Sequence, residues 1–349
     1  MVKPKSRILQ IFNAGSGRPV ALILPLASLL TFIFSWLAAY PTGAVEHIFA
    51  RGIFPRISVV AGHFADLIPF SWLDLAIPLG SVLLIVLLFR KKWIWLVNIV
   101  AGLYLVFFWT WGLNYHRQPL NSKLQLDSDR MQPDAMTEFA KRAAAELNRL
   151  YDEKQKHAYD EMTTRAEAVR RVRKVIATID GSDWQSASRI KISRVGSAWM
   201  RAAGIDGVFN PFAQEPIISS TTLDIERPFV IAHELAHVRG YPDEGDANVI
   251  ATFATLMSND PAFQYSGWLN LWLYLRTREL DKLLESGPRQ DIQRIFERAR
   301  NEQVRWINDL QQSLLDWFLK ANSVEEGVRS YSRVVLTAAG SEASWERFR

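Results

Sequence analysis

Between Val20 and Tyr40 the chain carries no charged residue. A stretch of that length has few stable destinations, and a lipid bilayer is the obvious one: about 20 apolar residues in a helix span it and satisfy every peptide group internally. Two more apolar runs follow, Phe70 to Phe89 and Trp93 to Leu113, parted by Arg90-Lys91-Lys92. Trp93, Trp95, Trp109 and Trp111 sit near the two ends of the third run, where interfacial belts place tryptophan. Asp74 near the start of the second run reads as interfacial. Asn98 within the third is tolerable in a helix packed on its neighbours. The chain is therefore expected to be membrane-anchored and mainly α, with three transmembrane helices over about 20–40, 70–89 and 93–113.

The flanking charges set an expected topology. Met1 to Pro19 holds Lys3, Lys5, Arg7 and Arg18 and no acidic residue, and Arg90-Lys91-Lys92 is equally basic. Both belong on the cytoplasmic side, so residues 1–19 form a basic cytoplasmic tail and everything after Tyr115 lies outside. A cleaved signal peptide is the competing reading, with Ala38-Ala39 and Gly43-Ala44 as small residues, but the apolar run is long for one. Pro41 to Pro69 reads as a mixed loop, with Ile53 to Leu67 interfacial or re-entrant. His47 and His63 read there as solvated or interfacial.

The net charge of +5 is modest and partly flanks the apolar runs, so it argues for topology and against nucleic acid as a partner. With no Cys, disulfides and thiolate metal ligands are excluded. From residue 115 to 349 the chain reads as one extracytoplasmic domain. Asp134–Lys156 and Thr164–Ile179 have helical periodicity, the second strongly basic on its solvated face. Ile190–Val195 alternates like a strand, and Gly207–Phe209 and Pro216–Ser219 are candidate short strands. Trp268–Leu284 reads as a core or membrane-surface helix. Asp291–Lys320 reads as one long helix with a stripe of Ile295, Val304, Ile307, Leu310, Leu314 and Trp317. Glu215 reads as a turn residue.

The chemistry concentrates between Phe229 and Met257. His233-Glu234-Leu235-Ala236-His237 is an H-E-x-x-H, and on a helix its two imidazoles share a face and can meet one metal ion. Glu234 flanks that ion, placed to take a proton from water as a general base. Val230, Ile231, Leu235, Ala236 and Val238 make the helix apolar, and buried histidines on it need partners. Gly240-Tyr241-Pro242-Asp243 ends the helix, and Asp243 is a plausible N-cap for the next. There Glu244 and Asn248 are four apart and share a face. Glu244 can complete a His-His-Glu site, while Asn248 can hold an imidazole N–H behind it. The spacing H-E-x-x-H-x-x-G-x-x-D is also present, with Asp243 as the alternative metal ligand in a metzincin-like pattern. No His follows His237, so a third ligand from the later chain must be a carboxylate.

H-E-x-x-H followed by E-x-x-A-N resembles the gluzincin class of zinc peptidases. The chain as a whole resembles an uncharacterised bacterial family in which a few membrane helices precede such a domain. The resemblance runs through Trp111-Gly112-Leu113-Asn114-Tyr115, Pro211-Phe212 with Glu215, His233 to Asn248, Tyr265-Ser266-Gly267 and Gly327-Val328-Arg329-Ser330-Tyr331. One departure is Asp246, where the family prefers Glu. The resemblance implies a zincin-like α+β domain with a small sheet, whose edge strand pairs with the substrate backbone. It implies Zn2+ held by His233, His237 and Glu244. Tyr265, Arg329 and Tyr331 are candidate oxyanion donors because they fall in the matching segments.

The expected function is thus a membrane-bound zinc metallopeptidase of a bacterial inner or cell membrane. Its catalytic domain faces the periplasm or exterior, and it acts on a peptide or protein. Asp224, Glu226, Arg227 and the charges from Arg239 to Asp246 bound the motif and argue against an intramembrane site. The alternative is a non-catalytic, metal-stabilised scaffold or sensor.

Overall fold

The computed structural model describes residues 21–37, 40–156, 159–184, 189–321 and 333–348. Among these the chain is mainly helical, with one small mixed sheet. Helix α1 (Ile23–Leu37) precedes a wide-turned π-helical stretch, Val45–Ile53, which runs directly into α2 (Phe54–Ala65). Helices α3 (Leu73–Phe89) and α4 (Trp93–Thr110) form a hairpin about Arg90-Lys91-Lys92, and α1 packs on α4. The Asn98 amide donates to the carbonyls of Ala21 (2.8 Å) and Ile94 (2.7 Å), so this polar side chain is satisfied between the two helices.

Helix α4 is long and apolar enough to cross a bilayer; α1 and α3 are apolar but shorter. Leu79, Val82, Phe89, Val97 and Val100 all point outward and are exposed. That is the reverse of a core helix, which would bury such residues.

The segment from Pro41 to Pro69 differs from the loop expected of it: most of it is helical. Phe49 and Phe54 bury against Trp111, and Glu46 is fully buried. Apolar burial and a buried ion pair outweigh the mixed composition that suggested a loop.

The remaining helices are α5 (Pro133–Gln155), α6 (Glu161–Asp180), α7 (Arg194–Ala203), α8 (Arg227–Val238), α9 (Glu244–Leu256), α10 (Pro261–Leu275), α11 (Ser286–Glu302), α12 (Arg305–Ala321) and α13 (Arg333–Ser341). At the centre stands α9, buried on all sides after its first turn because its sequence runs through Ala, Val, Ile, Thr and Phe without a charge. It packs on α6, α8, α10 and α13. Around it Phe139, Leu147, Ile176, Phe253, Phe263 and Trp272 form one continuous core.

The sheet has strand order β1-β3-β2. In it β1 (Lys191–Ile192) runs parallel to β3 (Glu215–Ile218), and β2 (Gly207–Asn210) runs antiparallel to β3. The strand expected over Ile190–Val195 stops after Ile192. Ser193 caps α7 by accepting from the Gly196 N–H, and Asp74 of α3 takes the N–H groups of Arg194 (3.1 Å) and Val195 (2.8 Å). The single helix expected over Asp291–Lys320 is instead two. At Gln303 the backbone is extended, and the next N–H, of Val304, donates to the Ala202 carbonyl at 2.9 Å. Glu215, expected in a turn, is a fully buried pin. It accepts from Lys191 Nζ (2.8 Å), Ser71 Oγ (2.9 Å) and the Trp72 N–H (3.0 Å), tying the sheet to the start of α3.

Candidate metal centre

Two elements bring the site together. Helix α8 carries His233, Glu234 and His237. A tight connection through Gly240, at φ +78°, reverses the chain into α9. Only glycine suits that turn: its conformation is left-handed, and an added Cβ would stand 2.8 Å from the Phe54 ring. The first turn of α9 then delivers Glu244 against both histidines.

The two imidazoles are fixed from behind. His237 Nδ1 donates to the Tyr241 carbonyl at 2.7 Å, and because a carbonyl only accepts, that nitrogen holds the ring proton. His233 Nδ1 bonds Asn248 Oδ1 at 2.9 Å in the same sense. In a neutral ring so held, Nε2 presents a bare lone pair. They lie 3.1 Å apart, and Glu244 Oε2 lies 3.1 Å from His233 Nε2 and 3.6 Å from His237 Nε2.

Three acceptors facing one another repel unless a cation lies among them. Zinc bonds of about 2.0–2.1 Å at tetrahedral angles require ligand atoms about 3.3 Å apart, which is the spacing found. The group fits a tetrahedral ion with one position left open. Burial would lower the His237 imidazole, but the Glu244 carboxylate outweighs it and lifts the ring to about 9. Burial would raise Glu244, yet the two histidines hold it well below the usual carboxylate range. The site attracts positive charge by its construction.

Glu234 stands beside this group, not in it. It is buried, and its Oε2 has no protein partner. Burial raises its carboxyl to about 7 against the pull of His233 and His237. Gly207 of β2 makes room for it, since a Cβ there would stand 2.3 Å from Glu234 Oε1. A cleft of about 650 Å³ opens over the site, walled by β2, by Trp111 and Tyr115 beyond α4, by Tyr274 of α10 and by α12.

Strand β2 is an open edge of the sheet. The Ser219 N–H donates to the Asp206 carbonyl, so the antiparallel alternation turns Val208 toward β3. The backbone N–H and C=O of Gly207 and Phe209 then face the open side.

The other candidates fall elsewhere. Asp243 caps α9 through the Asp246 N–H (2.9 Å) and bonds Arg333 at 2.9 Å, so its carboxylate is occupied away from the histidines. Asp246 is half-buried near the Leu120 N–H, and loss of water with Asp243 beside it raises its carboxyl to about 7. Tyr265 is a packing residue: its hydroxyl donates to Asp291 (2.8 Å), and Lys154 lies over its ring, on the side of α10 away from the cleft. Arg329 and Tyr331 lie outside the described residues. The phenols that do line the cleft are Tyr115 and Tyr274, neither of which spacing could reveal. Loss of water around the cleft wall and the Glu244 carboxylate raise both, Tyr274 to about 12 although its ring is partly exposed, so both stay protonated donors. Tyr115 does close the quoted Trp111–Tyr115 segment, which is the nearest thing to a signal.

Behind the site lies a buried charge network. Glu46 accepts from Arg117 Nη2 (2.8 Å) and Nε (2.9 Å) and from Lys123 Nζ (2.5 Å). Arg117 also donates to the Gly240 carbonyl (2.8 Å) and to Asp180 (3.2 Å), which accepts from the Tyr241 hydroxyl (2.9 Å). Tyr241 in turn holds His237.

The chain matches, over residues 49–337, the family model described as "Protein of unknown function (DUF3810)", and it belongs to that family. No curated protein and no solved structure matches it.

Proposed function

For this member of a family of unknown function, we propose a membrane-anchored metallopeptidase that uses zinc. The observation that carries the proposal is the convergence of His233 Nε2, His237 Nε2 and Glu244 Oε2 at tetrahedral ligand spacing, with an unpartnered buried carboxylate beside them. His233, His237 and Glu244 would hold the ion. When bound, zinc would polarise a carbonyl and ease the ionisation of water.

Glu234 accepts a proton from the attacking water as the water oxygen bonds to the peptide carbonyl carbon. It hands that proton to the amide nitrogen as the C–N bond breaks, giving a carboxylic acid and an amine, between which the second water proton then passes to leave a carboxylate and an ammonium. Tyr115 and Tyr274 are the donors available to a developing oxyanion. The exposed backbone of Gly207 and Phe209 can pair with an extended peptide, which favours a polypeptide substrate. A gluzincin-like assignment rests on the same ligand set.

The membrane reading is that α1, α3 and α4 all span. At 1.5 Å per residue α1 and α3 cover about 22 and 25 Å, close to a hydrocarbon core of about 30 Å. The apolar sequence of Val20–Tyr40 extends beyond α1 at both ends. The basic tail and Arg90-Lys91-Lys92 then lie in the cytoplasm, and the metal centre lies on the other side.

Full-length protein with Glu234→Gln should keep its zinc and lose peptide hydrolysis by about 10²-fold or more. Equal cleavage by both forms would refute Glu234 as the base. Zinc in both with cleavage by neither would favour a scaffold or sensor.

A further inference from the structure

Helix α12 has an apolar face that none of the described residues covers. Trp306, Leu310, Leu314 and Trp317 are 68, 51, 54 and 68% exposed. At 100° per residue they occupy an arc of about 80° on one side of the helix. Another side of α12 faces the metal cleft through Gln311, Gln312, Leu315 and Phe318. A lone exposed leucine needs no explanation, but four large apolar residues in one stripe, with a tryptophan at each end, do.

The position of this stripe says what covers it. The end of α4 meets α12: the Phe107 and Phe318 rings are 5.9 Å apart, and Tyr115 reaches Phe318 at 6.1 Å. The start of α3, on the same side of the α3–α4 hairpin, holds the start of α7 through Asp74. Helix α7 in turn holds the start of α12, the Asn308 amide donating to the Ala203 carbonyl at 2.8 Å. On α7 itself Val195 and Trp199 are exposed. The start of α3 and the end of α4 thus meet α7 and α12, and all four helices carry exposed apolar residues.

We infer that α12 is an interfacial helix whose Trp306-Leu310-Leu314-Trp317 stripe sits in the outer acyl boundary of the bilayer, with the metal cleft on the far side of the helix, about one helix diameter from that boundary. Tryptophan at both ends of an apolar stripe suits that depth. The consequence for substrate class is a polypeptide presented close to the membrane. The inference rests on the reading of α4 as a span.

The absence of Cys makes the test direct. Full-length protein in phosphatidylcholine–phosphatidylglycerol nanodiscs would carry one environment-sensitive fluorophore at Leu310→Cys, Leu314→Cys, Gln312→Cys or, within α4, Val100→Cys. Doxyl-labelled lipid should quench the probes at 310, 314 and 100 several-fold more than the probe at 312, and iodide should quench in the opposite order. Lipid quenching at 100 with iodide access at 310 and 314 would overturn the interfacial helix and leave the span intact. No lipid quenching at 100 would overturn the span and the inference with it. Shielding of 310 and 314 from both quenchers would mean a protein surface, such as a second copy, covers the stripe, and would also overturn the inference.

Discussion

Two polar centres are buried back to back in this molecule, and they are built on opposite plans. Behind α8, Glu46 and Asp180 are balanced by Arg117 and Lys123, every charge facing its opposite at hydrogen-bond distance. In front, two imidazole nitrogens and the Glu244 carboxylate converge on one point, and among the described residues no Arg or Lys is paired to that carboxylate. Burial is costly for both, but only the first is complete within the protein. The second could hold a metal ion, and in the function proposed above it is the active one. Tyr241 joins them, its hydroxyl on Asp180 and its carbonyl on His237, so the balanced centre orients the unbalanced one.

Breaking the balanced centre should have the largest effect on stability. Glu46→Ala leaves Lys123 buried without its carboxylate and Arg117 with Asp180 alone, and should cost about 3–5 kcal/mol, read as a loss in thermal or denaturant midpoint. A change below about 1 kcal/mol would show that the network is not buried as described. Chelation should act on the other centre alone. At 100 times its Kd an ion stabilises by about 2.7 kcal/mol, so a chelator should lower the wild-type midpoint and leave that of Glu244→Ala unmoved.

A smaller effect separates geometry from binding. In Gly207→Ala the new Cβ must push Glu234 aside, so peptide hydrolysis should fall by about 10²-fold while zinc content holds. Unchanged turnover would mean that Glu234 is not confined there. The smallest effect is a pH signature. Burial alone would raise the Glu46 carboxyl, but Arg117 and Lys123 outweigh it and hold it down to about 2 from an ordinary 4.5. A depressed carboxyl stabilises the fold above its unfolded value and loses that contribution as pH falls. The wild type should therefore lose stability between about pH 4.5 and 2 more steeply than Glu46→Gln. Parallel curves would contradict the pairing.

The comparison also shows what the sequence can disclose. His233, Glu234 and His237 lie one helical turn apart, and Glu244 and Asn248 repeat that spacing, so local periodicity alone brought these five residues under notice. The cap role of Asp243 was equally local. The balanced centre was not legible: Glu46 and Arg117 are 71 residues apart, and nothing periodic connects them. The same holds for Glu215 and Ser71, 144 residues apart. Gly207 looked like an ordinary strand residue, because its meaning lies in the atom it lacks. Tyr265 stands out only through its neighbours in sequence, whereas Asp291 and Lys154 draw it into the core. The break between α11 and α12 has no local signal, because the Ala202 carbonyl that takes the Val304 N–H comes from a distant element.

The most direct test of the account is metal analysis of the full-length protein as wild type, Glu244→Ala and Asp243→Ala. The account predicts about one zinc per chain in the wild type and in Asp243→Ala, and its loss in Glu244→Ala. Loss in Asp243→Ala with retention in Glu244→Ala, or a folded wild type that takes up no metal when zinc is supplied, would contradict it.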